Sequence, residues 1–93
     1  MMTLKDIANK RTDDYIHLKE LIKDRMLLSA VYLAKSIGLK ADSSVSLGSV
    51  TDDYHYSITT ADGYVLLEAA YSTGWAGWYQ FDGILVPTEE RIN

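Results

Sequence analysis

Apolar residues in the first forty positions recur on a helical period. Tyr15, Leu18, Ile22, Met26, Leu33 and Ile37 follow one another at spacings of three, four or seven, forming one stripe on a 3.6-residue repeat. Thr12, followed by Asp13 and Asp14, supplies a cap and two acids where free N–H groups and the positive dipole end favour them. Gly38 sits where a helix C-cap needs a left-handed residue, with Lys35 and Lys40 flanking the negative end. The pattern predicts one long helix from about residue 13 to 37, roughly 37 Å at ~1.5 Å per residue. A shorter helical segment at Leu4 to Lys10 precedes it, capped by Thr3, with Leu4, Ile7 and Ala8 on its buried side.

Within the long helix, Met26 to Ala34 is apolar nearly all round. Leu27, Val31 and Ala34 lie opposite Leu28 and Tyr32, so one sheet face cannot cover both sides. Either the N-terminal segment and the chain's ends fold over the surplus, or Leu27, Leu28, Val31 and Tyr32 form a self-interface.

After Lys40 the period changes to two. Val45, Leu47 and Val50 suggest a first strand interrupted at Gly48 by a bulge or bend. Tyr54 to Thr60 and Tyr64 to Tyr71 flank Asp62-Gly63, a type I′ hairpin signal. A two-residue loop there pairs Tyr54 with Tyr71, Tyr56 with Ala69, Ile58 with Leu67 and Thr60 with Val65 on one apolar face. His55, Ser57, Thr59, Tyr64, Leu66, Glu68 and Ala70 fall on the other, mixed face. Asp82-Gly83 repeats the device, setting Phe81 against Ile84 and Tyr79 against Val86, and Pro87 confines the last strand to a short edge. The expected fold is α+β, a long N-terminal helix packed on an antiparallel four- to five-stranded β-meander. Residues 1–93 read as a single domain, helical over 1–40 and β-sheet over 41–93. A small closed barrel with a helix across its mouth is the alternative.

Composition agrees with an ordered domain: 93 residues, 47% hydrophobic, one proline. The absence of cysteine removes disulfides, thiolate metal sites and cysteine nucleophiles together. No apolar h-region occupies residues 1–20, and Met26 to Ala34 falls far short of the ~20 residues of a membrane span, so the expectation is a soluble cytoplasmic protein.

Charge changes the picture more. Residues 1–40 carry eight Lys and Arg against five acids, whereas Ala41 to Glu90 holds no Lys or Arg and eight acids, within a chain of net charge −4. Such asymmetry speaks of partners and association. Asp52-Asp53-Tyr54-His55 could hold a metal or do acid–base work, but strand geometry sets Asp53 and His55 on one face without Asp52, and no further ligand is spaced to help. Ser57 near His55 lacks an acid and a nucleophile elbow, and Gly74 and Gly77 lead into a strand with no lysine, unlike a phosphate loop. His17 falls on the polar side of the helix. These residues predict no catalytic site, no metal and no cofactor. Trp75, between Gly74 and Gly77, is either a core plug or a partner anchor.

The first functional expectation is a small non-catalytic acidic binding or inhibitor protein. It would dock Asp52, Asp53, Tyr64, Glu68, Trp75 and Asp82 on a basic protein that itself handles nucleic acid. In size and charge the chain is similar to compact phage-encoded inhibitors of host defence and to immunity proteins, which implies a protein partner. Direct nucleic-acid binding is disfavoured, because the aromatic half lacks a basic groove. The second expectation is an oligomeric accessory module, a homodimer through Leu27, Leu28, Val31 and Tyr32.

Overall fold

The helical stripe folds as two helices. In the computed structural model, which describes residues 2–74 and 79–82 (the last four by backbone alone), α1 spans Leu4–Lys10, α2 Thr12–Lys23 and α3 Leu27–Ser36. Between α2 and α3 the chain turns through Arg25, whose φ of 60° is left-handed. The Arg25 N–H donates to the Ile22 carbonyl at 3.0 Å and the Met26 N–H to the Leu21 carbonyl at 2.9 Å, the paired bonds of a Schellman C-cap. Gly38, φ 92°, closes α3 in the same way, its N–H on the Lys35 carbonyl and that of Leu39 on Ala34. The single helix expected from residue 13 to 37 is therefore corrected to two, and the break leaves Met26 exposed, outside the buried stripe. A left-handed Arg is strained by about 1–2 kcal/mol where Gly is not. Arg25→Gly should accordingly raise stability by about 1 kcal/mol in urea unfolding; a loss of stability would contradict the strained cap.

Thr12 is the first residue of α2 and not its cap. Its hydroxyl donates to the Ala8 carbonyl at 2.7 Å, tying α1 to α2. Thr3 does cap α1, in a reciprocal box with Asp6. A second acid serves the same helix end: Asp62, far along the chain, accepts the Leu4 N–H at 3.0 Å and the Thr60 hydroxyl at 2.7 Å. The Thr60 hydroxyl holds the Asp62 carboxyl below the usual 3.8, helped by the Leu4 N–H. Asp6 is lowered likewise, chiefly by the Thr3 hydroxyl. A lowered carboxylate stabilises the fold above its unfolded pKa, and that contribution is lost as pH falls through the folded one. The stability advantage of the parent over Asp62→Asn should thus shrink on titrating from about pH 5 to about pH 2, while an advantage independent of pH would refute the carboxylate's role.

The sheet is an antiparallel meander of three long strands, β1 (Lys40–Leu47), β2 (Thr51–Thr59) and β3 (Val65–Gly74), with a four-residue β4 (Tyr79–Asp82) laid along β3. A meander of four to five strands was expected; the described residues give three long strands and the short β4. Residue 83 onward, with the second hairpin and Pro87, lies outside them. Gly48 is no bulge within a strand: it begins the turn between β1 and β2, whose closing pair is Leu47 with Asp52, and Val50 sits exposed in that turn.

The β2–β3 hairpin keeps the expected pairs Tyr54–Tyr71, Tyr56–Ala69 and Ile58–Leu67. Its tip differs. Only Gly63, φ 88°, is left-handed there, whereas a type I′ turn needs two such residues. The Gly63 N–H donates to the Thr60 carbonyl at 3.0 Å and the Thr60 N–H to the Tyr64 carbonyl at 2.9 Å, making a three-residue loop. Thr59 then pairs with Val65 instead of Thr60 doing so, and the register shift leaves Leu66 as the extra residue of a bulge. The bulge turns Leu66 inward beside Leu67, and both are fully buried. Leu66 is thus corrected from the mixed face to the core.

The core joins Leu4, Ile7, Leu18 and Ile22 of α1 and α2 to Leu27, Ala30, Val31 and Ala34 of α3, and to Ala41, Tyr56, Ile58, Leu67 and Ala69 of the sheet. α3 is the helix that lies across β1 and β2, with α2 packed on it and α1 on α2. At ~1.5 Å per residue α3 covers about 15 Å. The eight-residue β1 spans about 27 Å. The end of the sheet near Gly48 therefore projects past its helical cover, and Val45 and Leu47 are 52% and 76% exposed.

Candidate binding surface on the sheet

Alternation along the strands sorts the predicted site residues onto two faces. Ladder pairing places Asp42 beside Ser57 and Ser57 beside Glu68; it also places Asp53 beside Ser72, with His55 between Ser44 and Ala70. These residues form the face turned away from the helices. Asp53, His55 and Glu68 are exposed, and the Ser72 hydroxyl donates to Asp53, holding that carboxylate in place. Asp82 pairs with Ala70, which brings its backbone to the same face's register. With strands ~4.8 Å apart, Asp42 and Glu68 stand about 10 Å from each other across Ser57. That spacing is close to a Debye length at physiological salt, so the acids act as a common field. It is too wide for a shared proton or a shared metal. Among the described residues no three His, Cys, Asp or Glu side chains come together as metal ligands.

Asp52 and Tyr64 do not join this face. Asp52 alternates to the helix side of the sheet and accepts the Gly48 N–H at 3.4 Å, which makes it a turn residue. Tyr64 is exposed beside the opposite turn, roughly 25 Å away along β2. Trp75 lies outside the described residues. Asp42, which the sequence reading passed over, belongs with Asp53 and Glu68; strand register was the signal that could have found it.

The expected self-interface divides as well. Leu27 and Val31 are 4% and 0% exposed and belong to the core, whereas Leu28 and Tyr32, 44% and 62% exposed, point outward one turn apart. Leu28 lines an open groove of about 220 Å³ with Ser43, Ser44, Val45, Tyr54 and Tyr56, where α3 meets the overhanging end of β1. A neighbouring hollow continues past Met26 and Arg25.

Among the described residues no helix is long and apolar enough to cross a membrane. Comparison with protein-family models, with curated proteins and with solved structures finds no match for this chain.

Proposed function

We propose that the protein is a small non-catalytic binding protein that docks the outer face of its sheet on the basic surface of another protein, one that handles nucleic acid. The observation that carries this reading is the gathering of Asp42, Asp53 and Glu68 on one exposed face of strands that hold no Lys or Arg beyond Lys40. Acids about 10 to 14 Å apart, outnumbering the one Lys40 on their face, steer a cationic partner inward and repel nucleic acid. His55 among them supplies a flat contact and a hydrogen-bonding edge. In size and charge the chain is similar to inhibitors of host defence and to immunity-type proteins. Affinity capture on the immobilised chain tests the proposal, with Asp53→Lys/Glu68→Lys as the control surface. A basic protein retained by the parent and released by the control supports it. Equal retention on both contradicts it.

A second reading, self-association, is favoured by Leu28 and Tyr32 alone, since Leu27 and Val31 are committed to the core. Light scattering at high micromolar concentration decides it.

A further inference from the structure

Among the described residues β1 is an edge strand of the sheet. Among the described residues nothing pairs with its outer side, and of its eight residues Ala41 alone is buried. Natural edge strands are guarded by Pro, bulges, inward charges or a covering element. Here the ladder to β2 runs unbroken from Lys40 to Leu47, and Ser43 to Leu47 contains neither Pro nor charge. The two sides of this edge differ sharply. On the helix side lie Val45, Leu47 and the Leu28–Tyr54–Tyr56 groove. On the other side lie Lys40, Asp42, Ser44 and Ser46, with Glu68 behind Asp42 across Ser57 and Asp53 behind Ser46.

We infer that β1 accepts an extended segment of the partner as an added strand, one whose residues alternate apolar and basic. Its apolar side chains would enter the groove beside Leu28 and Val45, and its Lys or Arg side chains would face Asp42 and the acids behind it. Main-chain hydrogen bonds to the free edge give affinity, and alternate side chains give specificity. Directly opposed side chains across such a pair stand ~4.5–5.5 Å apart, close enough for Asp42 to select charge. A second copy of β1 fits less well, since it would bring to that face one Lys40 against one Asp42 and two serines, with no net positive charge to meet the acids. The inference rests on the acidic-docking reading and adds where the contact is made and what segment makes it.

The test uses two synthetic ten-residue peptides of one composition, valine and lysine alternating in the first and grouped in two blocks in the second. The alternating peptide should bind at least tenfold tighter by fluorescence polarisation and should slow amide exchange at Ser43, Val45 and Leu47, whose N–H groups face the open edge. Ser43→Pro, which removes an outward-facing edge amide, and Val45→Glu, which leaves the backbone intact, should each cut the affinity tenfold or more, so the test survives if the proline variant fails to fold. Equal binding of both peptides overturns strand addition, as does exchange protection confined to Asp53 to Ser57 or protection of the Ser43, Val45 and Leu47 amides without peptide. Asp53→Lys/Glu68→Lys separates the two claims: if it leaves capture of the natural partner unchanged, the acidic-docking reading itself fails.

Discussion

Leu27→Lys combined with Val31→Glu should abolish cooperative folding. Both side chains are at most 4% exposed, on the side of α3 turned to the sheet and α2. A buried charge costs several kcal/mol beyond the lost apolar burial, and Leu or Val truncation in a core costs a further ~1–5 kcal/mol. A domain of this size has roughly 5–15 kcal/mol in total. The matched pair one residue along, Leu28→Lys and Tyr32→Glu, should change stability by no more than about 0.5 kcal/mol. Thermal unfolding followed by circular dichroism reads both. A folded Leu27/Val31 variant would mean that α3 is turned the other way round, with its self-associating face outward.

That contrast shows where the sequence was legible. Its all-round apolar character marks Met26 to Ala34 as unusual, and the helical period separates Leu27 and Val31 from Leu28 and Tyr32. Which of the two sides meets the sheet depends on the break at Arg25, and no Gly or Pro announces it. The break is held by two backbone hydrogen bonds that tertiary packing over-determines. At the sheet, Asp62-Gly63 locates the turn and the two-residue period gives three of the four pairs. The bulge at Leu66 escapes because the local pattern allows both a two-residue and a three-residue loop, and burial of one more leucine decides between them. The acids were visible individually. Their faces were not, since Asp52 and Asp53 separate only once the strand register is fixed.

The outer face carries the second large effect. Asp53→Lys with Glu68→Lys raises net charge from −4 to 0, each substitution adding two. It also replaces two members of the common field by cations. Association with a basic partner should slow by about tenfold or more at low salt, because steering of this kind contributes ~10–10³ to an on-rate. Stability should move by no more than about 0.5 kcal/mol, since both side chains are exposed. Asp52→Lys, on the opposite face, should have less effect on the rate and more on the β1–β2 turn.

The most direct test of acidic docking is the association rate constant of the parent with its captured partner, measured by stopped flow as a function of ionic strength. The proposal predicts a steep fall in rate with added salt, a shallower slope for Asp53→Lys/Glu68→Lys, and convergence of the two at high salt, where the charges are screened. A parent rate indifferent to salt, or a charge-reversed protein that associates as fast as the parent at low salt, would contradict it.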